Sequence, residues 1–362
     1  MTTGNNRSCA PGRRHAKACP TTAKNICPGG ACFSLPASSQ RGSALLAVLW
    51  LSAALAAIAF SLATTVRGET ERTSTELDGL RSYYLATGGI ARASAELLWS
   101  AENPGQRVLP KGSTRVDYRL PSGDVRVEII PETAKLDVNH APVAELFRLA
   151  LALGVEPGRA QTIAEGIADW RAAGGGPSAF DGYYLSLTPS FRSRHASFEE
   201  IEELLLVRGV TPDIFYGTWL PAPEGAIAAG GPRLVPRSGL ADCLTVYGSG
   251  ERVDGNTANP AVLAAIGLSP YAISALVERR QMAPLTLDQL YNLLGSVGAD
   301  PSRLRVEGNS IVTMRATARL RLANGQLSDL RRTVAAQIKY LARGYGYSQI
   351  HILRWYDTAW SF

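Results

Sequence analysis

Hydrophobic and polar positions divide the chain into stretches of different period. From Gly42 to Val66 it reads GSALLAVLWLSAALAAIAFSLATTV, twenty-five residues without an ionisable side chain. That exceeds the roughly 20 residues a helix needs to cross a bilayer. A helical period continues beyond it, with Leu77, Leu80, Tyr84, Gly88, Ala91 and Ala95 at three- and four-residue steps. Leu97, Leu98 and Trp99 close the pattern, and Asn103-Pro104-Gly105 stops it. One helix is predicted over 43–102, on the order of 90 Å long at 1.5 Å per residue. The pair Gly88-Gly89 marks a place where it can bend.

Period two follows. Thr114–Leu120 and Asp124–Ile130 alternate and are joined by Pro121-Ser122-Gly123, a hairpin signal. Near the C-terminus, Ser310–Leu322, Leu327–Ala342 and Ser348–Trp355 read as strands, with helix as an alternative for part of 327–342. Asn324-Gly325 is the strongest short hairpin cue in the chain. These strands are expected to form one sheet packed on the second half of the long helix.

Between the two strand groups, residues 135–305 read as helical and repeat themselves. Gly154-Val155-Glu156-Pro157, Gly209-Val210-Thr211-Pro212, Gly267-Leu268-Ser269-Pro270 and Gly298-Ala299-Asp300-Pro301 share one order of residue types. Glycine in the left-handed region ends one helix. An oxygen-bearing side chain then caps the next, and proline takes its first position, where no N–H is needed. A second echo joins LDVNHAP at 136–142 to VDGNTANP at 253–260, with Asn139 and Asn256 placed to cap the helices that follow. The region reads as helical hairpins inserted into the sheet.

Charge sharpens this division. The 362-residue chain has a formal charge of +6. Six of its 37 basic residues (Arg7, Arg13, Arg14, Lys17, Lys24 and Arg41) precede the apolar stretch with no acid among them, and the remaining 31 match the 31 acids. A neutral body lacks the basic excess behind non-specific phosphate affinity. The basic flank places the N-terminus in the cytoplasm and the body across the membrane. Four of five cysteines also lie in the first 42 residues, in spacings that match no zinc pattern, which leaves Cys243 alone downstream.

Candidate chemistry is sparse. No phosphate loop, nucleophile elbow or H-E-x-x-H pair occurs, and His140, His195 and His351 are isolated in sequence. The chain reads as a non-enzyme. Asp169, Asp181, Glu199 and Glu200 are the one group that could converge on a hard cation across 169–200. The Gly-Pro turns resemble helix-hairpin-helix modules, which bind DNA through a second glycine and a free N–H. Here Glu156, Thr211, Ser269 or Asp300 replaces that glycine and proline follows. Packing and protein contact are the better reading, and nucleic acid is disfavoured.

The stretch QRG followed by SALLAVLWLSAAL resembles the class III signal of type IV pilins and type II secretion pseudopilins. The resemblance implies cleavage by prepilin peptidase between Gly42 and Ser43, after Arg41, with methylation of the new N-terminus. Ser43 stands where these proteins usually carry Phe, and Ala47 where most carry a buried Glu. With RGSALLAVLW, KLDVNHAP, IADWR, DGYYLSL, FEEIEELLLVRGVTP, LTVYGSGERVDGNTANP and RRTVAAQIKYL…ILRWYD, the chain resembles the general secretion pathway protein K family from about Arg41 to its end. The implied fold is α+β: a pilin-like long helix on an antiparallel sheet, with a large inserted all-helical domain of helix-hairpin-helix-like repeats.

The expected divisions are a basic leader over 1–42, a transmembrane or filament-core helix over 43–66, and the rest of the helix with the first hairpin over 67–133. The inserted helical domain covers 134–305, and strands that complete the sheet cover 306–362. The family implies a minor pseudopilin at the pseudopilus tip, anchored in the inner membrane by a single pass with its body in the periplasm. Its implied partners are minor pseudopilins I and J, prepilin peptidase and secreted cargo. It also implies calcium in the inserted domain, for which Asp169 and Asp181 remain candidates, although the loop RAAGGGPSAFDGYY is poor in acids. The rival reading is a membrane-anchored helix-hairpin-helix protein for DNA binding or uptake.

Overall fold

The apolar period over 43–102 yields one continuous 60-residue helix, α1 (Ser43–Glu102), in the computed structural model. The structure describes residues 43–359 except 104, 107, 110–113, 175–177, 223–233, 249–250, 307–309 and 342–349. Contacts divide the chain into two units, one ending at Arg67 and one beginning at Gly68. In the first unit every described residue is exposed, and α1 is long and apolar enough there to span a membrane.

In the second unit α1 packs on a five-stranded antiparallel sheet in the order β1 (Arg115–Leu120), β2 (Gly123–Pro131), β9 (Ile311–Leu320), β10 (Arg332–Tyr340), β11 (Ile350–Tyr356). Register follows the period-two pattern: Tyr118 faces Val125 and Val127 faces Ala316 across the strands. Segment 327–342, open between helix and strand from its pattern, is resolved as strand over Arg332–Tyr340 because β9 supplies a partner along nearly its whole length. Gly325, at φ +82°, makes the tight turn of that hairpin.

Two corrections concern α1. Its buried face is Ser82, Leu85, Ala86, Gly89, Ile90 and Ala93, not the stripe read from the pattern. Leu77, Leu80, Tyr84, Gly88, Ala91 and Ala95 are exposed. Small residues decide this. A Cβ at Gly89 would lie 2.4 Å from Val125 Cγ1, so the glycine permits close approach of helix to sheet. The helix runs through Gly88-Gly89 unbroken.

Between β2 and β9 lie the helices α2 (Val143–Ala152), α3 (Pro157–Arg171), α4 (Asp181–Ser186) and α5 (Pro212–Tyr216), then Leu240–Cys243, Pro260–Ala265, Pro270–Met282 and Leu287–Ser296. This stretch is not all-helical. Among the described residues three two-stranded pairs interrupt it: β3 (Leu136–Asp137) with β6 (Leu244–Thr245), β4 (Thr218–Pro221) with β5 (Leu234–Arg237), and β7 (Val253–Asp254) with β8 (Leu304–Arg305). Among its described residues the unit holds two apolar cores. One runs from Leu136 to Leu304 and contains Cys243, whose thiol burial pushes up. The other joins α1 to the sheet through residues such as Ile90, Val127, Met314 and Val334.

Arg315 on β9 reaches Glu128 at 2.9 Å and Asp242 at 3.5 Å, tying the sheet to Leu240–Cys243. It is only 9% exposed, where an ion pair is costly to break from one side.

Candidate functional site

The start of α1 is the first candidate. Ser43 opens the helix and Ala47 sits one turn on, both exposed among apolar neighbours such as Leu45, Leu46 and Trp50. A carboxylate in an apolar surround is tolerated only with a partner, and alanine removes that requirement. Arg41 and Gly42, with the whole leader 1–42, lie outside the described residues.

The second candidate is the repeat, which proves deeper than its glycine turns. Asp137 Oδ1 accepts the N–H of Asn139 at 2.9 Å, and Asp254 Oδ1 accepts that of Asn256 at 3.2 Å. Asn139 then holds both backbone groups of Phe198, and Asn256 holds both of Leu285. Arg171 at the end of α3 donates to the carbonyls of Val138 and Ala141, while Arg280 near the end of Pro270–Met282 donates to that of Gly255. Burial lowers the pKa of both guanidinium groups.

Each copy closes with a parallel strand pair, Leu136 beside Leu244 and Val253 beside Leu304. A chelate of Glu145 on Arg303, 2.8 Å to each carboxylate oxygen, joins the copies. The chain therefore contains two versions of one module, of which the sequence pattern revealed only the turns and the Asn echo.

Asn139 and Asn256 do not cap the following helices, contrary to the expectation from the echo. Pro142 and Asn259 occupy those cap positions. The asparagines serve long-range backbone contacts instead, 59 and 29 residues away. Arg171 and Arg280 were invisible as a pair because the segments between them and the asparagines differ in length.

All four turn glycines have positive φ: 76° at Gly154, 90° at Gly209, 99° at Gly267 and 67° at Gly298. At three of them the next residue's N–H reaches back five positions, Val155 to Ala150, Leu268 to Leu263 and Ala299 to Leu294. Gly209 follows a 3-10 segment, Ile201–Leu206, and lacks that bond among those described. Pro157, Pro212 and Pro270 each begin a helix. Pro301 does not: Asp300 accepts from the N–H and hydroxyl of Ser302, and the chain passes into β8.

These turns offer little to a phosphate. Both oxygens of Glu156 accept the first N–H groups of α3, from Gly158 at 2.8 Å and Arg159 at 2.9 Å. Those backbone bonds lower its pKa. The positive helix end is thus already met by an internal anion.

The family-like motifs IADWR, DGYY and FEEI converge in one aromatic cluster. Trp170 stacks on Phe198 at 6.1 Å and meets Tyr184 edge-on at 5.6 Å. Phe191 lies 5.2 Å from Tyr184, whose hydroxyl accepts the N–H of Arg208.

Beside the cluster lie the calcium candidates. Asp169 Oδ2 accepts from Ser178 Oγ at 3.0 Å. Asp181 accepts from the Ser178 N–H and from Ser193 Oγ at 2.9 Å, with His195 Nε2 at 3.2 Å. The Ser178 N–H and then the Ser193 hydroxyl lower the Asp181 pKa. Glu199 and Glu200 turn elsewhere, to Arg194 and Arg354.

Calcium takes six to eight oxygens. Among the described residues no group of three or more His, Cys, Asp and Glu could hold a metal ion. Hydroxyl and imidazole groups of Ser178, Ser193 and His195 already pair with Asp169 and Asp181.

Nor does Ser193-His195-Asp181 form a nucleophilic relay. Ser193 and Asp181 both meet Nε2 of His195, whereas a relay needs the carboxylate on the opposite ring nitrogen. Of the other histidines, His140 pairs with Asp137 at 2.8 Å in a largely exposed position, and His351 lies on β11.

Parts of this chain are similar to known proteins. Residues 128–217, which run from β2 to the end of α5, match the family described as type II secretion system protein K. A type II secretion system protein K of Klebsiella pneumoniae is 27% identical over 195 residues, 49% of this chain and 60% of the relative. The chain thus spans less than two thirds of that relative's length. A crystal structure of the GspK-GspI-GspJ complex from the enterotoxigenic Escherichia coli type 2 secretion system aligns with a TM-score of 0.46 at 15% identity. It covers 80% of this chain and 100% of that one. The likeness to protein K read from the motifs holds in both the family match and the curated relative.

Proposed function

We propose that this chain is a type II secretion system protein K: a minor pseudopilin at the pseudopilus tip that primes assembly with minor pseudopilins I and J. The observation that carries the reading is the protein K match over 128–217 in a chain that also has a long uncharged helix start. The chain is anchored in the inner membrane by one pass, with its body in the periplasm, and supports export of proteins across the outer membrane. Prepilin peptidase cuts between Gly42 and Ser43.

Three further features support the reading. Ala47 brings no carboxylate into a filament core. The exposed apolar stripe of α1 through Leu77, Leu80 and Tyr84 gives a neighbouring subunit's helix an apolar face to pack on. Residues 134–305, which have an apolar core of their own, act as a domain inserted between the first hairpin (67–133) and the closing strands (306–362). Its bulk blocks addition of another subunit above.

The test is the N-terminal sequence and methylation state of the membrane-bound chain, with and without prepilin peptidase. A methylated Ser43 terminus that depends on the peptidase is expected. An intact leader, or a cut elsewhere in cells that contain the enzyme, would sink the pseudopilin reading. Co-purification with subunits I and J tests the tip complex separately.

A further inference from the structure

A cleft opens between the sheet and the segments that flank β6, enclosing about 630 Å³ with its solvent-open mouth included. Glu132 lies at its base, in the 3-10 turn after β2, and is 1% exposed. Its Oε1 accepts from Lys135 Nζ at 3.3 Å and from the Thr313 hydroxyl. Its Oε2 is buried and has no hydrogen-bond donor among the described residues.

A carboxylate oxygen taken from water without a donor costs more than an ordinary lost hydrogen bond. The cleft therefore favours an incoming donor.

The orphaned oxygen rather than the surrounding charge selects what enters, because the acids of the lining are themselves paired with Lys135, Arg194, Arg315 and Arg354. The acids lining the cleft are Glu132, Glu199, Glu200 and Asp242, and the bases are Lys135, Arg315 and Arg354. Each base already has a carboxylate partner: Lys135 on Glu132, Arg315 on Glu128 and Asp242, Arg354 on Glu200 and Glu202. The walls add Ile130, Ile201 and Val246, with the ring of Tyr247, while the Tyr356 ring already carries the Arg354 guanidinium at 5.2 Å. An aliphatic stem suits the first group and a cation suits the Tyr247 face. A metal ion does not suit the site, because no three metal-ligating side chains gather among the described residues.

We propose that this cleft binds the cationic end of an arginine or lysine side chain, with Oε2 of Glu132 as the buried acceptor and the aliphatic wall around the stem. The proposal uses no step of the protein K reading and stands if that reading fails.

The test is saturation-transfer NMR on the full chain in detergent micelles. N-acetyl-arginine methylamide is the probe, and the corresponding citrulline derivative, of the same shape but neutral, is the control. The arginine probe should bind saturably and the control should not. Glu132→Gln puts a donor where Oε2 was and should weaken binding about tenfold or more. Tyr247→Ala, at the half-buried rim, should weaken it severalfold, and it carries the test if the Glu132 variant fails to fold. Absence of binding at millimolar probe, equal binding of the citrulline control, or unchanged affinity in a folded Glu132→Gln or Tyr247→Ala chain would overturn the assignment.

Discussion

Asn256 Nδ2 donates to the carbonyl of Leu285 at 3.0 Å, while its Oδ1 accepts the N–H of Leu285 at 2.9 Å. One side chain thus closes a 29-residue loop by satisfying a buried residue's backbone twice. Asn139 does the same for Phe198, at 3.0 and 2.7 Å. Asn256→Ala orphans both groups at a cost of about 1–3 kcal/mol each, so a loss of about 2–6 kcal/mol is expected in urea unfolding. Asn139→Ala should behave alike. A change below about 0.5 kcal/mol, the range of ordinary surface substitutions, would show that neither asparagine closes its module.

Gly88 and Gly89 are neighbours with opposite requirements. A Cβ at Gly89 meets Val125 and Val127, whereas one at Gly88 meets nothing within 4 Å. Gly88→Ala should stabilise by up to about 1 kcal/mol through helix propensity. Gly89→Ala should destabilise by about 1–3 kcal/mol despite the same gain, because the sheet must shift. Thermal melts of the two variants side by side decide this. Equal effects would mean that α1 does not approach β2 this closely.

Glu156 gives a pH signature. Its folded pKa is depressed by the Gly158 and Arg159 N–H groups below the ordinary 4.5. Its contribution is therefore fully present above about pH 4.5 and disappears as pH falls through the lower, folded value. Wild type and Glu156→Gln should differ in stability at pH 7 and converge in acid. A difference that grows as pH falls would contradict the cap.

The cluster of Ser178, Asp181, Ser193 and His195 predicts indifference to calcium. Neither millimolar calcium nor EDTA should move the melting temperature, whereas Asp181→Ala should lower it by removing the acceptor shared by Ser193 and His195. A calcium-dependent rise of several degrees would overturn the hydrogen-bonded description of this loop.

The sequence by itself determined which segments become helix or strand wherever the signal is local. The uncharged run at 43–66, the alternation at 114–130, the Asn324-Gly325 turn and the Gly-Pro punctuation all act through backbone preference and period, within a few residues. It also determined the charge division at residue 42 and the motifs that resemble protein K.

Tertiary structure decided what depends on a distant partner. It chose the Leu85-Gly89-Ala93 face of α1 over the bulkier Leu77-Leu80-Tyr84 stripe, because the sheet needs close approach there. It made Arg332–Tyr340 a strand by supplying β9, and it turned Asn139 and Asn256 from apparent caps into clamps on backbone 59 and 29 residues away. It also brought Asp169 and Asp181 together with Ser178, Ser193 and His195 rather than with further carboxylates. Each outcome turns on which groups meet across a long loop, and local backbone preference carries no information about that.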